Sequence, residues 1–176
     1  MSACSATGVC DLYISSDTNI WIDFFEIKHV DHPFLLEHEF YLSAAAYEDE
    51  LLKSEELRKA LLAFGLRLAD ITDEEFSMAE SYRRTYRKLS LYDAFALAIA
   101  KARSWTLLTG DQPLRTAAEH EGIECHGVIW VYDELLHHGK ISSDDFRNAM
   151  QLLLAAVQEG RCRLPVNELI RRIEGR

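Results

Sequence analysis

Short runs typical of β-strands alternate with longer segments of helical periodicity along most of this sequence. The extended runs are Leu12–Ser15, Phe40–Ser43, Trp105–Thr109 and Val128–Val131. Such alternation is typical of parallel strands that are joined by crossover helices. We therefore expect an α/β fold, in which a central, mainly parallel sheet lies between two layers of helices.

Helical patterns fill the segments between these runs and continue alone after the last one. The helices predicted between strands are Ile20–Ile27, Ala44–Lys53, Ser54–Ala63, Asp73–Arg87, Leu91–Arg103 and Pro113–Glu121. Three more are predicted at Asp133–His138, Ser142–Glu159 and Pro165–Ile173. We expect a single domain, residues 1–176, with a core of about 11–132 and a C-terminal helical extension over 133–176.

The net charge limits how this chain can hold a nucleic acid. Its 176 residues carry a formal net charge of −10, and such a surface repels a polyanion on average. A phosphate-bearing substrate must therefore be held by a local basic patch or by metal ions.

Neither the cysteines nor the apolar runs indicate an extracellular or membrane protein. The four cysteines lack the paired short spacings of a zinc site or a redox motif: Cys4, Cys10, Cys125 and Cys162. No apolar run approaches the ~18 residues that a spanning helix needs, and the first ten residues lack the pattern of a secretion signal. We expect a cytoplasmic protein that does not enter a membrane.

Two acidic residues directly follow predicted strands. Asp17 comes after "YISS" and Asp111 after "WTLLTG". In open α/β sheets, ligands bind beyond the carboxyl ends of the strands. If these two strands are parallel neighbours, the side chains of Asp17 and Asp111 converge there.

Two further acids are candidates for the same place. Asp93 belongs to "LSLYDAFALAIAKA", a helix that is apolar around nearly its whole circumference and is expected to be buried. In "SAAAYEDELLKS" the helical period places Glu48 on the apolar face and Glu50 roughly opposite. We therefore assign Glu48 as the inward acid, whereas Asp23 is expected to be solvated.

Each acid also has a structural explanation. Asp17 and Asp111 stand where a helix N-cap would stand, and Ser90 with Asp93 matches a capping box. Independent caps, however, have no reason to gather at one end of a sheet. If the acids do gather, their like charges raise one another's pKa unless cations neutralise them, and oxygen ligands suit Mg²⁺ or Mn²⁺. Such ions activate water for attack on a phosphodiester.

Three segments resemble the PIN-domain nucleases, and the sequence looks most like the VapC-type members. The match rests on "DTNIWIDF" with Asp17 and Asn19, on "LSLYDAFALAIAKA" with Asp93, and on "LLTGDQPLRTAAEHEGIECHG" with Asp111. The resemblance implies a Rossmann-like α/β/α fold, an acidic pocket for Mg²⁺ or Mn²⁺ and cleavage of single-stranded RNA.

The resemblance also implies roles for single residues. Asp17, Asp93 and Asp111 match the family's metal ligands, and Asn19 matches a polar residue that orients the first acid. The family's second acid falls in "YEDELL", where the local wording fits Glu50 although the helical face favours Glu48. Thr109 matches a hydroxyl residue beside the last acid.

A basic stretch precedes Asp93. The segment "SYRRTYRKLSLYD" contains two interleaved tyrosines and four cations: Arg83, Arg84, Arg87 and Lys88. Arginines that bind phosphates and tyrosines that stack on bases suit single-stranded RNA. The alternative is a solvated helix end that complements the helix dipole. Arg115 is a weaker candidate for contacting RNA.

Three functions are consistent with these residues. The first is a metal-dependent endoribonuclease, in particular the toxin of a toxin–antitoxin pair whose antitoxin covers the acidic groove. The second is a catalytically silent PIN-fold module that binds RNA or protein. The third, a haloacid-dehalogenase-like phosphatase, requires an acid two residues after the first, where this chain has Asn19. The apolar stretch "FRNAMQLLLAAV" suggests packing on the domain or on another copy of the chain, so a homodimer is a further hypothesis.

Overall fold

Five short parallel strands form one sheet in the computed structural model, which describes residues 13–175. The strands are β1 (Tyr13–Ser16), β2 (Glu39–Ser43), β3 (Arg67–Ala69), β4 (Thr106–Leu108) and β5 (Cys125–His126). Their order is β3-β2-β1-β4-β5, and every neighbouring pair is parallel. The predicted α/β fold with a parallel central sheet is confirmed, and β1 lies at its centre.

Nine α-helices surround the sheet within the described residues. They are α1 (Thr18–Glu26), α2 (Ala44–Asp49), α3 (Glu55–Phe64), α4 (Asp73–Thr85), α5 (Leu91–Arg103), α6 (Gln112–His120), α7 (Val128–His137), α8 (Ser143–Gln158) and α9 (Val166–Ile173). A short 3₁₀ helix, His32–Leu35, precedes β2. None of the helices within residues 13–175 is long and apolar enough to cross a membrane.

The strand that the sequence predicted at Val128–Val131 is wrong. This segment is the first turn of α7, which begins after Gly127. Four consecutive apolar residues fit a buried strand and a buried helix equally well, so their periodicity does not decide between them. The true strand is β5, only two residues long, and it lies immediately before this turn. β3 also escaped prediction, because two of its three residues are exposed.

Two hydrophobic clusters cover the two faces of the sheet. One contains Trp21 and Phe24 of α1 together with residues of α3, α7, α8 and α9. The other contains residues of α4, α5 and α6, including the alanines of α5. The helices after residue 133 therefore share a core with α1, as Leu153 and Leu169 illustrate. Cys4, Cys10 and Leu12 lie outside the described residues.

Buried serines hold the central strand to its neighbours. The Ser15 hydroxyl donates to the Ala96 carbonyl of α5 at 2.9 Å, and the Ser16 hydroxyl donates to the Tyr41 carbonyl of β2 at 2.8 Å. The Trp21 indole NH donates in turn to Ser16 Oγ at 2.9 Å. These bonds satisfy polar groups that would otherwise destabilise the core, and they fix α1 and α5 relative to the end of β1.

An ion pair fastens α4 to α5. The Glu75 side chain is only 3% exposed and accepts from Arg103 Nε at 2.6 Å and from Arg103 Nη2 at 2.9 Å. The same carboxylate accepts from the Thr72 backbone NH in the capping box of α4. Removing the arginine alone would leave a buried carboxylate without its cation.

We expect Arg103→Met to lower the free energy of unfolding by about 3 kcal/mol, because it leaves the buried Glu75 carboxylate without its cation. The double variant Glu75→Gln/Arg103→Met removes both charges and is expected to recover much of that loss. Urea denaturation at pH 7 measures both variants. A single variant as stable as wild type would contradict this role of the ion pair.

Candidate active site

Asp17 lies where the central strand meets α1. Its backbone NH donates to the Leu108 carbonyl at the end of β4 at 3.1 Å, which ties the two strand ends together. Its carboxylate caps α1 by accepting from the Ile20 NH at 3.2 Å, and it also accepts from the Thr109 hydroxyl. Asp17 is only 4% exposed, so the side chain is fixed and nearly dry.

Burial makes ionisation of Asp17 costly. The pKa of Asp17 is raised to about 7, chiefly by loss of hydration; the nearby charge of Asp93 acts in the same direction, while the hydrogen bonds from Thr109 and Ile20 act in the opposite direction. A buried carboxylate whose pKa is raised in this way is most easily kept ionised when a cation is bound beside it.

Asp93 lies in the first turn of α5 and is half-buried. Its carboxylate accepts from the Ser90 NH at 2.8 Å, and its NH donates to the Ser90 hydroxyl at 3.0 Å, so the pair forms a capping box. Its charge raises the pKa of both Asp17 and Glu50. The Asp93 side chain therefore both caps α5 and lies near the other acids.

The prediction that Glu48 points inward is wrong. The Glu48 side chain is 61% exposed and pairs with Arg58 at 2.6 Å. The helical period gave the wrong face because α2 ends at Asp49. The apolar face was extrapolated to residues beyond this end, where the chain is no longer helical. The acid that approaches the others is Glu50, which accepts from the Thr18 hydroxyl. Desolvation raises the Glu50 pKa, and the charges of Asp93 and Asp49 raise it further.

Thr109 connects the first acid to the last. It is fully buried, and while its hydroxyl donates to Asp17, its oxygen accepts from the Asp111 NH at 3.0 Å. Asp111 caps α6 through the Leu114 NH at 3.1 Å and is half-buried. The structure thus places Asp17, Thr109 and Asp111 along one short path at the carboxyl edge of the sheet.

A small cavity of about 190 Å³ opens beside Asp111. Asn19 lines it with an exposed side chain, and only its backbone NH acts on Asp17. Asp23 also lines it, so the prediction that Asp23 is solvated is wrong: it is 8% exposed, and burial raises its pKa to about 6. An acid inside the apolar run "IWIDFF" was the available signal.

The basic residues take two different places. Exposed cations line the end of α4 and the loop before α5: Arg83, Arg84, Arg87 and Lys88. The interleaved tyrosines are engaged, because the hydroxyls of Tyr82 and Tyr86 donate to Glu121 at 3.3 and 2.7 Å and Tyr82 is buried. Arg115 donates to the Thr109 carbonyl at 3.1 Å and supports the loop that carries Thr109.

Donor chemistry and charge fit a divalent cation. Within residues 13–175, no group of three or more histidine, cysteine, aspartate or glutamate side chains is close enough to enclose a metal ion. Mg²⁺, however, keeps several waters and is commonly held by one or two carboxylates. Asp17, Glu50 and Asp93 supply such oxygens, and their mutual repulsion would be relieved by the ion.

Comparison with known families agrees with this architecture. The model of the PIN domain family matches residues 13–173, which is nearly the whole chain. The chain therefore belongs to the PIN domain family, whose members are usually nucleases and generally use divalent metal ions. No curated protein matches the sequence significantly.

We expect Asp17→Asn to stabilise the metal-free protein at pH 8, because Asn still caps α1 but carries no buried charge. With a pKa raised from 3.8 to about 7, wild type loses stability as the pH rises through this interval. The gain should exceed about 1 kcal/mol, since one pKa unit corresponds to about 1.4 kcal/mol.

Urea denaturation in EDTA measures this difference. The gain of Asp17→Asn over wild type is expected to shrink as the pH falls toward 4, where the wild-type carboxyl is neutral in the folded state. An Asp17→Asn variant that is less stable than wild type at pH 8 would contradict the electrostatic account of this site.

Proposed function

We propose that this protein is a Mg²⁺- or Mn²⁺-dependent endoribonuclease that hydrolyses phosphodiester bonds of single-stranded RNA. The observation that carries the proposal is the arrangement of acids at the carboxyl edge of the parallel sheet, where Thr109 joins Asp17 to Asp111 and Asp93 lies near enough to raise the pKa of Asp17. Membership of a family of nucleases supports the same reaction class.

Four acids would hold the ion or its waters in this proposal: Asp17, Glu50, Asp93 and Asp111. When bound, the ion would supply an activated water and stabilise the charge that develops on the phosphate. Thr109 and Thr18 act as positioning residues, because their hydroxyls fix the carboxylates of Asp17 and Glu50. The helix caps limit the movement of Asp93 and Asp111 in the same way.

Single-stranded RNA is proposed because exposed cations lie directly before α5, the helix that carries Asp93. None of Arg83, Arg84, Arg87 and Lys88 has an ion-pair partner among the described residues. On a chain of net charge −10, such a local patch is where a phosphate backbone can approach. Flexible single strands fit a small site at a sheet edge more readily than a stiff duplex.

A VapC-like toxin is the cellular role that we propose, with an antitoxin protein over the acidic groove and a cytoplasmic location.

We also propose a homodimer, since α8 and α9 expose Leu152, Val166 and Ile170. Light scattering over a concentration series is expected to give a mass that rises to twice that of one chain. A constant monomer mass would remove the dimer.

We expect the wild-type protein to cleave a mixed-sequence single-stranded RNA in the presence of Mn²⁺, and we expect Asp93→Asn to lose the activity. Removing a charge that holds a catalytic ion costs about a hundredfold or more in rate. Gel analysis of an end-labelled RNA measures both.

Glu50→Gln and Glu48→Gln form a matched pair for the same assay. Each removes one charge from the same short segment, yet Glu50 accepts from Thr18, the residue after Asp17, whereas Glu48 is exposed and pairs with Arg58. Glu50→Gln is expected to lose most of the activity and Glu48→Gln to retain it. Equal activity in wild type and Asp93→Asn would show that the proposed site is not the source of cleavage.

A catalytically silent PIN module that binds RNA or protein is the second candidate. It is favoured by the helix-capping roles of Asp17, Asp93 and Asp111, which give these residues a structural purpose without a metal. RNA binding by a protein that leaves the RNA uncut in Mn²⁺ would support this candidate over the nuclease.

A further inference from the structure

The turn between α8 and α9 is fastened against the acidic edge of the sheet. The Arg161 guanidinium pairs with the Glu26 carboxylate at 2.8 Å and also donates to the Glu26 carbonyl at 3.2 Å. The next residue, Cys162, is 4% exposed and its thiol contacts the buried Asp23 carboxylate. Both contacts join the turn to α1, the helix that begins at Asp17.

Arg163, which follows in this turn, is a cation without a partner. It is exposed, and within residues 13–175 it makes no hydrogen bond or ion pair. It lines the small cavity beside Asp111 and also a much larger groove, and among the cations of the described residues it alone lines both. Gly110 and Asp111 are the other residues common to the two spaces.

The larger groove, which we call the β5 groove, has a volume of about 840 Å³. It lies between the loops that follow β4 and β5 and the start of α9. One wall carries a pair of stacked rings, His126 and Trp130, whose centroids are 4.2 Å apart with an interplanar angle of 10°. Leu164 adds aliphatic surface. The volume falls within the range of about 300–1,000 Å³ that is usual for ligand sites.

The other arginines of the β5 groove are already engaged. Arg172 is bound by the carboxylates of Asp133 and Glu168, at 2.6 and 2.7 Å. Arg115 is directed at the Thr109 carbonyl. Arg163 is therefore the cation that is available to a ligand, and together with Asp111 it lines both the groove and the smaller cavity.

We propose that the β5 groove is a nucleotide subsite of the RNA substrate, in which Arg163 binds a backbone phosphate beside Asp111 and the wall around His126 and Trp130 receives the attached base. The inference rests on the proposed RNA-cleaving function and adds the residues that hold the strand. It also gives the helices after residue 133 a role in the site, since they carry the turn to which Arg163 belongs.

Charge and shape together select this occupant. An unpaired cation at one end of the groove and rings with aliphatic surface along its wall match a phosphate joined to a planar base. Because the β5 groove is continuous with the cavity at Asp111, an RNA strand bound in the groove would lie next to the acids. An apolar peptide would leave Arg163 without a counter-charge, so peptide binding without RNA binding would count against the proposal.

The first test measures the binding of a fluorescent single-stranded RNA of about ten nucleotides, a length within the usual site sizes. Ca²⁺ replaces Mg²⁺, and a gel verifies that the RNA stays intact. Arg163→Ala is expected to weaken binding about tenfold and to reduce the slope of log K against log salt by about 0.7, the contribution of one phosphate contact on a single strand. Arg163→Lys keeps the charge and is expected to retain most of the affinity.

Arg147→Ala is the matched control. Arg147 lies on α8, is 51% exposed and, among residues 13–175, pairs only with Asp144, so the variant removes the same charge away from the groove. It is expected to bind RNA with the wild-type affinity and salt slope. Because Arg163 is exposed and unpaired, Arg163→Ala should keep the wild-type melting temperature, and a changed salt slope then reports a lost phosphate contact.

The second test separates the base from the phosphate. A nucleoside monophosphate is expected to displace the labelled RNA at a concentration about tenfold below that required for ribose 5-phosphate, because only the nucleotide offers a base to the aromatic wall. Equal competition by the two compounds would overturn the base-binding part of the proposal.

The outcomes distinguish this inference from the proposed function. If wild type cleaves RNA but Arg163→Ala has the wild-type affinity and salt slope, the subsite is wrong and the nuclease stands. If RNA binding depends on Arg163 and no RNA is cut in Mn²⁺, the subsite stands and the nuclease is wrong. If wild type does not bind RNA at all, both are wrong.

Discussion

Burial of one carboxylate at the end of the central strand is the constraint on which the site depends. Asp17 is held by the neighbouring strand through its NH and by a buried threonine through its carboxylate, so its position is fixed, and it is only 4% exposed. Its charge is costly there, and Asp93 increases the cost. A fold that keeps this arrangement gives up stability in its metal-free form, which is a common property of functional sites. The parallel sheet, the caps of α1, α5 and α6, and the small alanines of α5 all serve to bring acids to this edge.

The helices that follow the last strand are also tied to this edge of the sheet. They are built into the same hydrophobic cluster as α1, and their connecting turn is anchored to α1 by the Arg161–Glu26 pair and by the contact of Cys162 with Asp23. The acidic edge therefore borders a groove whose far wall belongs to the C-terminal helices. Without the C-terminal helices, the carboxylates of this edge would be open on that side, and Arg163 would not lie beside Asp111. In the subsite that we propose, this is how a chain with a large negative charge would present a place for a phosphate.

Much of this architecture was predictable from sequence, and the errors have physical causes. The alternation of strand and helix patterns predicted the sheet, and acids directly after two strands predicted the edge at which Asp17 and Asp111 are joined through Thr109. Strands of two and three residues, β5 and β3, carry too little pattern to be recognised. Glu48 was preferred to Glu50 because the end of α2 cannot be read from helical periodicity, and the contact of Asp23 with Cys162 was not foreseen because the two residues lie far apart in sequence. The same holds for Arg163, since only the folded turn brings it to Asp111.

The most direct measurement of the central claim is the position of Mn²⁺ in crystals of the wild-type protein, located by its anomalous scattering. We expect an ion at the carboxyl edge of the sheet, bound by oxygens of Asp17 and Asp93 at about 2.1 Å or through a single water, with Glu50 turned toward it. An ion bound elsewhere, with Asp17 and Asp93 still engaged only as helix caps, would contradict the account.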